Sequence, residues 1–187
     1  SNFEDGLEYT VNLYRLEQLD EQLKKFDEEN IAVSILPSLH YYYYPDKYQM
    51  AADDPAAKVG WHSLRNEYAK EMIELFIKEC CAIINKHPCV TNINYTNEPT
   101  FDTASQADYY QPLFAEFLEE RYEGNLERLN NSYGTNYASF AEIPLHTNGT
   151  APGAHFRDWR EFNDSVTRQW DEWVTGIYRQ YTDLPLH

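Results

Sequence analysis

Basic residues are scarce in this chain: 15 Lys and Arg stand against 31 Asp and Glu, a formal net charge of −16 over 187 residues. Such a field repels phosphate backbones and anionic bilayer surfaces, so neither nucleic acid nor a membrane is expected as a partner. Long apolar runs are lacking too. Nothing approaches the roughly 18 consecutive apolar residues of a membrane span, and the acidic N-terminus has neither the basic nor the apolar region of a signal peptide. A soluble chain is expected, in a compartment the sequence leaves open, a secreted or periplasmic bacterial setting included. Only three cysteines occur, Cys80, Cys81 and Cys89, and the first two are neighbours in a helix-like stretch, which argues against a disulfide framework. Cys80, His87 and Cys89 match no standard ligand spacing, so they are read as ordinary packing, with no metal and no cofactor expected. No repeat or low-complexity linker divides the chain. At 42% hydrophobic composition it suffices for one sizeable core, and one domain over residues 1–187 is the expectation.

Aromatic residues, by contrast, are abundant. Sixteen Tyr and four Trp among many Asn and Asp suit a surface that stacks on flat apolar faces while hydrogen-bonding to hydroxyls, as sugars require. A large core uses the same residues.

The hydrophobic periodicity reads as an alternation of helices and strands. Leu13, Leu16, Leu19, Leu23 and Phe26 recur at three- and four-residue steps, the stripe of an amphipathic helix, and Asn30 suits its left-handed stop. Ile31 to Ser38 is a short, nearly continuous apolar run of the kind covered on both faces. A long loop follows, and then a second helix with Tyr68, Met72, Phe76, Cys80, Ile83 and Ile84 on one face, ended by His87-Pro88. Val90 to Thr96 is the second strand, and Pro99 forbids its continuation. Helices are expected near Tyr110 to Tyr122 and Leu126 to Asn131, within a helical and loop insertion at about 103–155. The last helix carries Trp159, Phe162, Val166, Trp170, Trp173, Ile177 and Tyr181, and its three Trp are expected in the core. Leu184-Pro185-Leu186 has the character of a further strand. Such alternation implies βαβ units with a parallel sheet, whose functional residues gather at the C-terminal ends of the strands.

The stretch "CVTNINYTNEPTFD", Cys89 to Asp102, sets Glu98 at such an end. Strand alternation places Asn92, Asn94, Thr96 and Glu98 on one face and Thr91, Ile93, Tyr95 and Asn97 on the other. Two readings of this polar face stand side by side. In one it is a hydrogen-bonded inner layer with Glu98 solvated at the rim. In the other Glu98 is a catalytic carboxylate, partly buried so that it stays protonated near neutral pH. The sequons at Asn130, Asn148 and Asn163 are read as surface sites, and the one at Asn94 as buried.

Asn97-Glu98-Pro99 resembles the fourth-strand signature of clan A glycoside hydrolases. "FLEERYEGNLERLNNSYGTNYASFAEI", Phe117 to Ile143, is similar to the segment after the acid/base in family 42 β-galactosidases, and "KHPCV", Lys86 to Val90, to the lead into that strand. The resemblance runs from about Leu16 to Trp173. It implies a (β/α)8 barrel of TIM type and a retaining glycosidase on β-glycosidic bonds, with a carbohydrate substrate as partner. Glu98 is then the general acid/base and Asn97 the contact to the substrate 2-hydroxyl. His40 resembles a subsite histidine, and Tyr43, within the run Tyr41 to Tyr44, and Trp61 suit sugar stacking; a loop hydrogen bond for His40 and simple packing for the aromatics are the competing readings.

About four βα units fit in this length, against about 250 residues for a full barrel, so an incomplete barrel is expected. Retaining hydrolysis needs a second carboxylate roughly 5 Å from the first, which the resemblance puts on a seventh strand outside this chain. The chain alone is therefore expected to be catalytically silent. Its open sheet edges imply self-association into a homo-oligomer. The rival function is a non-catalytic carbohydrate-binding or structural domain on the same scaffold.

Overall fold

The structure, a computed structural model, describes residues 13–37, 67–96, 103, 107–146 and 153–187. They form two compact units: residues 13–37, 67–96 and 171–187 in one, and 103, 107–146 and 153–170 in the other.

In the first unit, helix α1 (Leu13–Glu28) ends on Asn30 at φ 55°, whose N–H bonds Asp27 O at 3.1 Å while Ile31 N bonds Phe26 O at 2.9 Å. This pair of reversed bonds satisfies the last carbonyls of the helix, and a short polar residue tolerates the left-handed conformation it requires. Strand β1 (Val33–Ile35) follows, then α2 (Glu67–Ile84) and β2 (Val90–Ile93). The strands are parallel, with Val33 opposite Val90, Ser34 opposite Asn92, and a register irregularity between Val33 and Ser34. β2 is paired on both sides. Toward β1, Val33 N bonds Cys89 O and Asn94 N bonds Ile35 O, both at 2.8 Å; on its far side Ile93 N bonds Pro185 O and His187 N bonds Ile93 O, both at 2.9 Å. The C-terminal Leu184-Pro185-Leu186 segment thus joins as a parallel bridge, Ile93 to Leu186.

Three expectations change here. The first strand is shorter than Ile31 to Ser38 and is not covered on both faces: Ser34 is exposed, and Ile31 and Leu36 are 48% and 52% exposed. Ser38 lies outside the described residues. On α2 the buried ridge is Ile73, Ile77, Cys80, Cys81, Ile83 and Ile84, with Phe76 half-buried; the side chains of Tyr68 and Met72 lie outside the description. In β2 the register irregularity breaks strict alternation, so Thr91 is exposed although Ile93 and Val90 are buried.

In the second unit, α3 (Ala107–Arg121) buries Tyr110, Phe114 and Leu118 at four-residue steps. Helix α4 (Leu126–Tyr133) is capped at its start by Asn125, whose side chain accepts from Arg128 N, and at its end by Gly134 at φ 69°. A 3-10 turn, Phe140–Glu142, follows. Helix α5 (Ala154–Tyr181) begins in this unit and ends in the other. Its buried stripe is Trp159, Phe162, Val166, Trp170, Val174, Ile177 and Tyr178. Trp173, expected in the core, is half-buried. The stripe passes through Val166, Trp170 and Val174 at steps of four, and Trp173 falls one position off it, about 100° around the helix from Val174.

Candidate functional site

The C-terminal end of β2 is the place where parallel-sheet architecture puts chemistry. Asn92 Nδ2 donates to Ser34 Oγ at 2.8 Å and Asn94 Nδ2 to the same oxygen at 3.1 Å, so one serine gathers two amides on one sheet face. The Thr91 hydroxyl lies 3.1 Å from Val33 O and 3.0 Å from Asn92 Oδ1. On the opposite face Ile93 is fully buried. One side of the sheet is thus apolar, with Ile93 buried and Val33 and Ile35 half-buried, and the other is polar and hydrogen-bonded.

Beyond Ile93 the chain continues through Thr96, held by Asn94 N on Ile35 O at 2.8 Å and Tyr95 N on His187 O at 3.1 Å. The Tyr95 phenol lies beside Asp171 of α5, close enough for each to shift the other's ionisation. Burial raises the Asp171 carboxyl above its usual range, against the phenol's pull in the other direction. Burial, with Asp171 beside it, likewise raises the Tyr95 phenol. Asp171 Oδ1 and Thr96 Oγ1 are buried without a hydrogen-bond partner among the described residues. Glu98, Asn97, His40, Tyr43 and Trp61 all lie outside the described residues. Of the polar face read from the sequence, the structure brings together Asn92 and Asn94. Ser34 and Asp171 were missed: Ser34 interrupts an apolar run, a visible signal, whereas nothing local marks Asp171.

The family 42-like segment has a different task in the second unit. Leu129 is fully buried, and Asn130 accepts from Thr135 Oγ1 at 3.0 Å and Tyr137 N at 2.9 Å while donating to Tyr137 O at 2.9 Å. Tyr133 OH donates to Asp158 Oδ2 at 2.9 Å, and Tyr122 OH to the same atom at 2.7 Å. Asp158 is wholly buried, with Arg121 Nε 3.1 Å from its other oxygen. Burial and the adjacent Asp158 charge raise both phenols. Arg121 also pairs with Glu161. These residues join α3, α4 and α5 around one charge, so the motif specifies a fold. Two sequons are corrected by the same packing: Asn130 is half-buried in its turn network, and Asn163 is buried and accepts from Thr103 Oγ1 at 2.6 Å. Asn148 lies outside the described residues, and Asn94, expected buried, is half-buried.

His87 and Cys89, weighed as ligands from the sequence, are engaged otherwise. The His87 ring contacts Asp27 and Asp20, and the Cys89 thiol donates to Leu23 O at 3.5 Å. Burial pushes the Cys80 thiol up to about 12 and the Cys89 thiol up to about 11.

No family model and no curated protein matches this chain. Solved structures do. A catalytic mutant of Gan42B, a GH42 β-galactosidase from G. stearothermophilus, superposes with a TM-score of 0.63 at 17% identity, covering 98% of this chain and 28% of that one. The β-galactosidase from Rahnella sp. R3 gives 0.63 at 19% identity, covering 96% and 28%. That of the psychrophilic Marinomonas ef1 gives 0.61 at 21% identity, covering 98% and 30%. The likeness is one of fold, mixed α/β with parallel strands, and this chain spans less than a third of each of these enzymes. Among the described residues no helix is long and apolar enough to cross a membrane.

Proposed function

We propose that this chain is the acid/base-bearing part of a retaining glycoside hydrolase acting on β-glycosidic bonds, β-galactosidase-like in class and built on an incomplete (β/α)8 barrel. The observation that carries the reading is the fold likeness to β-galactosidases over 96–98% of the chain. The polar face of Ser34, Asn92 and Asn94 supports it, since it leads to the C-terminal end of a parallel strand, where barrel enzymes carry their chemistry. Glu98 protonates the leaving oxygen and later takes the proton of the attacking water, while Asn97 holds the 2-hydroxyl. His40, Tyr43 and Trp61 line the sugar subsites. The nucleophile comes from outside this chain. Self-association through the open sheet edges accompanies the reading, and a monodisperse monomer in sedimentation counts against it.

The test compares two chains. The purified 187-residue chain turns over no aryl β-galactoside. In a chain that also supplies the nucleophile, Glu98→Gln lowers kcat/KM on poor leaving groups by about 10²- to 10⁴-fold, the usual worth of general acid catalysis, and far less on dinitrophenyl leaving groups, whose kcat falls instead through the lost base for the attacking water. An unchanged rate on poor leaving groups sinks the assignment; sugar binding without turnover in the longer chain supports the non-catalytic rival.

A further inference from the structure

We propose that the fold carries a proton-dependent clasp, in which charged His87 ties the C-terminal half of α1 to the turn that starts β2. Asp20 and Asp27 are seven residues apart, two turns along one helix face, so their carboxylates bracket a single ring. Asp27 Oδ2 lies 2.6 Å from Nδ1 and Asp20 Oδ1 3.2 Å from Nε2. A neutral imidazole has one donor and one acceptor, so only the protonated ring donates to both acids at once. The second oxygen of Asp27 accepts from Cys89 N at 2.8 Å, which makes one carboxylate hold both the ring and the start of the strand.

The surroundings decide how strongly the proton is held. The His87 side chain is 9% exposed, against 22% for Asp27 and 48% for Asp20, so the Asp27 arm is the drier one. Lys86 shares a surface groove with Glu17, Asp20 and Glu21 on one side, and Arg179 and Asp183 line a cleft with His87 on the other. Burial opposes the charge on His87, but the two carboxylates outweigh it and raise the ring above its usual value. Burial also works against the Asp27 charge; its bonds to Cys89 and His87 prevail and lower it.

The raised histidine contributes stability that is fully present below its unfolded value, about 6.5, and lost as pH rises through the folded value. The lowered Asp27 contributes above about 3.9 and fails as pH falls through its folded value. The clasp is therefore firmest between roughly pH 4 and 6.5. Opening it releases Leu23, buried on the helix turn between the two acids, and the Cys89 thiol bonded to its carbonyl.

The experiment is an NMR titration of the histidine rings in the 187-residue chain, with amide hydrogen exchange followed through the same pH range. His87 is expected to titrate above about 6.5, and Asp27→Asn to lower that midpoint. Protection of amides 20–26, corrected for intrinsic exchange, should fall about tenfold as pH crosses it while amides 77–84 hold. A wild-type midpoint at or below about 6.5, or equal loss in both helices, overturns the clasp. Should Asp27→Asn not fold, Asp20→Asn, on the wetter arm, replaces it: a lowered midpoint supports the proposal and an unmoved one counts against it.

Discussion

Ser34 and Asn92 stand opposite each other in the parallel pair β1 and β2, and the amide of Asn92 donates to the serine oxygen at 2.8 Å. Asn94 donates to that oxygen as well. Ser34→Ala removes the shared acceptor, but both amides are partly wet and water replaces it. The expected loss is about 0.5–1 kcal/mol, read from urea unfolding midpoints at constant slope. A loss several times larger would mean that this face is sealed from water.

Asp158 and its partners respond more severely. Arg121→Ala leaves the buried Asp158 carboxylate with only the exposed Arg157, 3.8 Å away, as a cation partner, and about 3 kcal/mol is expected, the low end for such a loss because Arg121 is itself 31% exposed and Arg157 remains. Tyr133→Phe removes one of two phenol donors and costs about 1.5–3 kcal/mol. Denaturant unfolding of both variants checks the order, arginine before tyrosine.

Gly134 sits at φ 69°, and none of the described residues comes within 4 Å of where a Cβ would stand. Gly134→Ala therefore meets no clash and suffers only the left-handed backbone, about 1–2 kcal/mol. At Asn30, also left-handed, Asn30→Gly is expected to be neutral or slightly stabilising. Thermal midpoints of the two variants should move in opposite directions or by clearly different amounts.

Asp171 supplies a pH prediction with the opposite sense to an ordinary acid. Its carboxyl is raised by burial, so ionising it weakens the fold as pH rises through the folded value. Asp171→Asn keeps a polar group of the same shape beside Tyr95 and removes that penalty: its thermal midpoint at about pH 7 should equal or exceed wild type, and the gain should vanish below the carboxyl range. A lower midpoint at neutral pH would show that the charged form is the one the fold prefers.

Much of the fold was legible because it rests on local periodicity. The helices α1 to α5 follow apolar steps of three and four, and Asn30 marks a stop that demands a left-handed residue. The candidate site was legible only in part. Asn92 and Asn94 share a face as strand alternation requires, but their common partner Ser34 lies 58 residues from Asn92 in sequence. Nothing local marks Asp158, and its role depends on Tyr122 and Tyr133 arriving from elsewhere in the chain.

Local residue order was enough to set where helices start and stop, which strand end leads on to Asn97 and Glu98, and how acidic the surface is, since each follows from a residue and its near neighbours. Packing alone selected which polar groups meet: His87 with Asp20 and Asp27, Tyr95 with Asp171, and Asp158 with two phenols and an arginine. A buried charge is tolerable only when several donors converge on it, and that convergence is set by how distant segments come together.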